Sequence, residues 1–189
     1  MEALFAIFSA FGLSASAGLN AYIPLLVVGV VAHYTDLIEL APPFDTLANP
    51  WILIMLGILL IIEMLADKLP AVNHINDLVQ TFIRPVAGAI AFAAGTNVIQ
   101  GINPVVALAC GLLVAGGVHL AKSAAVRPLV TVSTGGAGNT PVSVAEDVAS
   151  TAVSVASVLM PVLVAVLAGI LILALLWWWA RPASNAGPA

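Results

Sequence analysis

Glu63 and Asp67 stand four residues apart at the end of a long uncharged run, and Lys68 follows them directly. On a helix the two carboxylates share one face. Asp77, Thr81 and Arg84, at i, i+4 and i+7, form one stripe at the start of the next apolar segment. Between them lie Pro70, Asn73 and Asn76, a connection short enough for stripes of opposite charge to meet. A charge in hydrocarbon costs at least about 2.5 to 3.5 kcal/mol on insertion scales, so Glu63 and Arg84, the deepest pair, are expected to face the interior and each other. Pro85 lacks an N–H and frees the carbonyl of Thr81 as an acceptor beside Arg84. The chemistry of such a set is cation or proton binding by Glu63 and Asp67, with Arg84 and Lys68 setting the local charge. The competing explanation is a network that only locks two helices together, with Lys68 and Arg84 reaching the interface along their aliphatic stems.

A second constellation is His119, Lys122, Arg127, Ser133 and Thr134, then Gly135-Gly136-Ala137-Gly138-Asn139-Thr140-Pro141, closing with Ser143, Glu146 and Asp147. Ser143 and Glu146 have capping-box spacing and are expected to start a helix. A glycine-rich turn feeding a helix N-terminus can cradle an anion. This makes Gly135, Gly136, Gly138 and Asn139 a candidate anion-binding loop, with Lys122 and Arg127 supplying countercharge. A surface loop whose acids simply pair with those cations is the alternative. The nucleotide pattern G-x-x-x-x-G-K-[ST] is missing, so ATP is not implicated. His119 and Lys122, at i and i+3, share a face on which a histidine could relay protons.

Neither His33 nor His74 completes a metal-binding spacing, and serine elbows and catalytic cysteine arrangements are missing too. Cys110 is the single cysteine, so an intrachain disulfide is excluded. An enzyme is the weaker class, confined to a lipid-headgroup activity, and no cofactor or metal is called for. A net charge of −4 on so few charges gives no case for nucleic acid.

The elements that must hold these residues are membrane helices. Of 189 residues 62% are hydrophobic and 7% charged, against about 25% charged in an ordinary soluble domain. Uncharged runs cover residues 3–32, 46–62, 85–118 and 148–180, and a spanning helix needs about 20 apolar residues. The runs lack the period-two alternation of a membrane barrel. The fold class is therefore an all-α polytopic membrane bundle: one integral domain over 1–189, halved near residue 100. It has about five spans, at 3–32, 50–66, 76–100, 104–121 and 144–179, or six if the first is broken. The first segment lacks the basic residues of a secretory signal and is read as retained.

Lys68, Arg84, Lys122 and Arg127 lie in or beside two connections, whereas residues 34–49 carry Asp36, Glu39 and Asp45 and no Lys or Arg. That bias puts the cationic connections inside and the acidic one outside, as in a bacterial inner membrane. Asn20 and Pro24 sit mid-run, where Pro24 cannot serve the carbonyl of Asn20 and Gly18 loosens the turn. Two arrangements fit: a kinked single crossing, or a broken, re-entrant pair lining the interior. Asp77 with Thr81, and Asp147 with Thr151, each open an apolar segment, suggesting an internal repeat in parallel orientation. Pro161 should kink the last segment, and Trp177-Trp178-Trp179 with Arg181 has the character of an interfacial belt.

Gly18-Leu19-Asn20-Ala21-Tyr22-Ile23-Pro24-Leu25-Leu26, Glu63-Met64-Leu65-Ala66-Asp67-Lys68-Leu69-Pro70 and the stretch from Asp77 through Arg84-Pro85-Val86-Ala87-Gly88-Ala89 resemble the domain-of-unknown-function family 4126. Gly138-Asn139-Thr140-Pro141-Val142-Ser143 with Glu146-Asp147 is similar to the same pattern. Asn73 departs from it, standing where an acid is expected. The resemblance implies a small multi-spanning membrane protein without an assigned activity. A looser likeness connects Glu63 to Lys68 with the E-x-G-D-K-T motif of a cation/proton exchanger family, here with the acids one residue further apart and Ala66 for glycine.

The expectation is a small protein that translocates an ion, proton or small solute. Asn20, Glu63, Asp67, Asp77 and Arg84 would line one half of the pathway, with His119, Lys122, Arg127, Glu146 and Asp147 in the other. The alternative is a non-transporting scaffold that binds a partner or lipid through the cationic connections. Membrane lipids are the expected surroundings, and a homo-oligomer is compatible with the sequence.

Overall fold

The computed structural model describes the backbone of residues 2–68, 70–96 and 102–180, and every side chain there except those of 68, 70–75, 77 and 178–180. Among the described residues the elements are helical: α1 (Glu2–Leu19), α2 (Tyr22–Tyr34), α3 (Pro50–Lys68), α4 (Pro70–Thr96), α5 (Pro104–Ala121), α6 (Arg127–Thr134), α7 (Asn139–Leu159) and α8 (Pro161–Ala180). A 3-10 turn (Phe44–Ala48) precedes α3, and a π turn (Lys122–Val126) joins α5 to α6. Glu2–Leu19, Pro50–Asp67, Leu78–Thr96, Pro104–Thr134 and Asn139–Leu159 are long and apolar enough to cross a bilayer. The chain is a multi-pass, all-α membrane protein.

α1 is the axis of the bundle because its surface is built from small residues. Ala10, Gly12, Ser14, Ser16, Ala17 and Gly18 are buried on it, and α4, α5 and α7 pack around them. Gly95 approaches Ala10 and Gly88 approaches Ser14, so α4 runs antiparallel to α1. Ser14 bonds the carbonyl of Gly111 at 2.8 Å, and a Cβ on Gly18 would meet the carbonyl of Ala115 at 2.6 Å, so α5 runs parallel to it. Gly18 thus serves close packing inside a continuous helix, and loosens nothing. α7 is antiparallel to α1, pairing Asn20 with Asp147, Ser16 with Ser154 and Gly12 with Ser157.

The first segment is the broken pair. α1 ends at Leu19, and the Asn20 side chain accepts from the N–H groups of Tyr22 and Ile23 at 3.0 and 3.2 Å, capping α2. Pro24 then lies in the first turn of α2, where its missing N–H has no helical partner to lose. α2 folds back along α1, since Val28 and residues Asp36 to Glu39 border the same cavity as Phe5 and Leu13. Its 13 residues reach about 20 Å, short of a hydrocarbon core of about 30 Å.

Other boundaries differ from expectation for local reasons. α7 begins at Asn139, so Ser143 lies inside it and bonds Asp67 instead of capping. The last segment is broken, not merely kinked, because Met160 leaves the helical region (φ −140°, ψ 58°) before Pro161 starts α8. The connection expected after α5 is helical to Thr134, where Gly135 takes φ 62° and Gly136 φ 91° to turn the chain. α4 and α7 share a direction and both pack on α1, α2 and α3, but α4 also packs on α5, whereas α7 packs on α8. Trp178, Trp179 and Arg181 fall outside the described side chains.

Candidate functional site

The two constellations form one network. The ends of α1, α3 and α5 and the starts of α2, α4 and α7 meet at the same end of the bundle, and this antiparallel arrangement brings their polar residues into one buried volume. Asn20, Glu63, Asp67, Arg84, His119, Lys122, Arg127 and Asp147 are each no more than 8% exposed. The residues expected to line the two halves of a pathway share the same ion pairs.

Arg84 Nη2 lies 3.0 Å from Glu63 Oε1 and 3.9 Å from Asp67 Oδ2. Arg127 Nη2 is 3.3 Å from the same Asp67 oxygen and 3.4 Å from Glu146 Oε2. Lys122 Nζ pairs with Glu146 Oε2 at 2.5 Å and donates to the carbonyl of Leu19 at 3.3 Å, at the C-terminal end of α1. Asn76 Nδ2 donates to Asp67 Oδ1 and Ser143 Oγ to Asp67 Oδ2, at 2.5 and 3.0 Å. Asn20 Nδ2 donates to Asp147 Oδ1 at 2.9 Å, so the helix break is tied to the network.

His119 ties α5 to α4, with Nε2 3.2 Å from Thr81 Oγ1 and Nδ1 3.4 Å from Arg84 Nη1. A guanidinium only donates, so Nδ1 must accept and the imidazole is neutral with its proton on Nε2. Arg84 therefore turns its guanidinium toward Glu63, Asp67 and His119.

Lys122 and Arg127 both point inward because of the π turn between them. In an α-helix residues five apart are about 140° apart around the axis. Here the N–H of Arg127 bonds the carbonyl of Lys122, and this wider turn sets one above the other, a distortion that recurs at functional sites. Both cations thereby engage carboxylates. The glycine turn is closed by its own bonds, from Gly138 N to Thr134 Oγ1 at 2.9 Å and from Asn139 Nδ2 to Thr131 Oγ1 at 3.0 Å. Gly135 and Gly136 would admit a Cβ without contact. The side chains of Lys68 and Asp77 lie outside the described residues.

From Asp147 a row of hydroxyls continues along α7. Ser150, Ser154 and Ser157 are fully buried. Ser16 of α1 stands 2.8 Å from Ser150 Oγ and 2.6 Å from Ser154 Oγ, and either partner of each pair can donate. Beyond Ser157 a cavity of about 330 Å³ opens at the other end of the bundle, bordered by Ser9, Leu13, Val28, Asp36, Glu39 and Val158. Ser143, Ser150, Ser154 and Ser157 are spaced by seven, four and three residues, a helical-face signal hidden in an alanine-rich segment. Gln80 and Tyr22 were also missed. Gln80 does stand one turn before Arg84 on the same stripe.

The family model described as a domain of unknown function (DUF4126) matches residues 7–181. The chain belongs to this family. The match takes in every residue of the network, from Asn20 to Asp147. No curated protein and no solved structure matches the chain.

Proposed function

We propose that the protein translocates a proton or a small monovalent cation across its membrane, through the ionic network and along the hydroxyl row to the acidic cavity. The observation that carries this reading is the composition of the buried network. Among the described side chains Glu63, Asp67, Glu146 and Asp147 face Arg84, Lys122 and Arg127, one negative charge in excess. A membrane interior penalises uncompensated charge by several kcal/mol (~2.5 or more), so such a network favours uptake of one positive charge.

The hydroxyls support a route, since Ser16, Ser150 and Ser154 can reverse their donor and acceptor roles. The broken pair supports it too, because irregular backbone at membrane depth is tolerated where it is buried in protein or lines a polar interior. On this reading the shared acid and threonine of α4 and α7 mark two related halves. The cationic end faces the cytoplasm of a bacterial inner membrane, by the Lys/Arg bias. Proteoliposomes loaded with pH, Na⁺ and K⁺ indicators test the proposal. Flux above that of protein-free vesicles supports it, and no flux for any of the three ions contradicts it.

A further inference from the structure

Glu63 and Asp67 occupy neighbouring turns of α3, yet their hydrogen-bonding capacity differs. Asp67 is saturated: Oδ1 accepts from Asn76, and Oδ2 accepts from Ser143 and Arg127. Glu63 uses only Oε1, for Arg84, while its Oε2 is buried without a hydrogen-bond partner in a residue 2% exposed. On the facing α4, Gln80 is also 2% exposed and its Oε1 is likewise without a partner. The phenol of Tyr22, from the start of α2, reaches the Gln80 side chain and lies within electrostatic range of Glu63 and Arg84.

A buried carboxylate oxygen with no partner is unfavourable, and native interiors rarely leave one so. One positive charge at Oε2 removes both the orphaned oxygen and the excess negative charge of the network. We propose that Glu63 is the site at which the protein holds its cation. A single positive charge binds at Oε2, as a proton or as a desolvated alkali ion, with the Gln80 carbonyl and the Tyr22 hydroxyl as further oxygen ligands. Asp67 is a positioning residue that fixes Arg84 and Arg127. The assignment rests on the transport reading for its purpose, while the binding itself is measurable without flux. Among the described side chains, the charged and titratable groups around Glu63 are Asp67 on its own helix, Arg84 on α4, Tyr22 on α2 and Asp147 on α7.

The test is infrared difference spectroscopy on the purified full chain in detergent. In choline chloride, a change from alkaline to acidic buffer produces a protonated-carboxyl band if Oε2 takes a proton. At constant alkaline pH, replacing choline with Na⁺ or K⁺ shifts a carboxylate stretch if it takes an alkali ion. The expected result is one of these signals in the parent, lost in Glu63→Gln and kept in Asp45→Asn, at an exposed carboxylate outside the network. For an alkali ion, Gln80→Leu and Tyr22→Phe weaken the signal. Should Glu63→Gln fail to fold, carbon-13 labelling of glutamate in a protein carrying Glu2→Gln, Glu39→Gln and Glu146→Gln, where Glu63 is the one glutamate left, must still move the signal. A signal that survives Glu63→Gln, moves with labelled aspartate, or is missing from the parent overturns the assignment. Binding at Glu63 without flux in proteoliposomes leaves the site standing and removes the transport reading. Flux with a signal unaffected by Glu63→Gln does the reverse.

Discussion

Arg84 Nη2 sits 3.0 Å from Glu63 Oε1, with both side chains 1% exposed, between the last turns of α3 and the middle of α4. Arg84 also lies 3.9 Å from Asp67, whereas Glu63 is ion-paired with Arg84. Removing one partner of a buried pair typically costs about 3 to 5 kcal/mol, because the other is left uncompensated. Arg84→Ala should therefore lower the melting temperature and yield of purified protein, and thermal unfolding in detergent checks it. An Arg84→Ala protein as stable as the parent would show that the pair holds nothing together.

The π turn makes an asymmetric prediction. Deleting the exposed Ala124 turns the i, i+5 spacing of Lys122 and Arg127 into i, i+4, which keeps both on one face of an ordinary α-helix. Inserting one alanine there instead carries Arg127 about 100° further round and strands Asp67 and Glu146. Deletion should be tolerated and insertion should destabilise, measured by thermal unfolding of the two variants. Equal tolerance would mean that the orientation of Arg127 does not matter.

The crossing of α4 and α5 depends on Gly88 and Gly111, where an added Cβ would strike Ala115 and the carbonyl of Gly88 respectively. Gly111→Val should prevent folding, seen as loss of the monodisperse peak in size-exclusion chromatography. Gly57 and Gly117 face open space, and alanine there should be neutral or stabilising by up to about 1 kcal/mol through helix propensity.

Cysteine labelling tests the orientation, in a background with Cys110 replaced by alanine. A cysteine at Gly136, beyond α6, should react with a membrane-impermeant reagent from the cytoplasm, and one at Thr46 from outside. Labelling of both from one side would remove the topology on which a route from the network to the acidic cavity depends.

Composition and run length were enough to read the membrane class and the spans, because a lipid-facing helix such as α8 must be apolar whatever its neighbours are. The Glu63–Arg84 pair was legible for the same reason: burial leaves two deep charges few alternatives. The union of the two clusters was not, since it depends on α1 running parallel to α5 and antiparallel to α4 and α7, and nothing local in the chain encodes that. The inward turn of both Lys122 and Arg127 was hidden as well, because α-helical spacing puts them on different faces and the π turn has no sequence signature of its own. Ser143 read as a cap because Glu146 follows at the right distance. Its contact with Asp67, 76 residues away, belongs to tertiary packing.

The most direct measurement is ion flux into proteoliposomes carrying the parent or the charge-exchanged protein, Glu63→Arg with Arg84→Glu, with the melting temperature of each measured alongside. The exchange restores an ion pair between α3 and α4 but moves the carboxylate to the other helix, away from its place beside Tyr22. The account predicts flux in the parent, and in the exchanged protein a melting temperature close to the parent's with no flux above empty vesicles. Full flux in the exchanged protein, or none in the parent for protons, Na⁺ or K⁺, would contradict it.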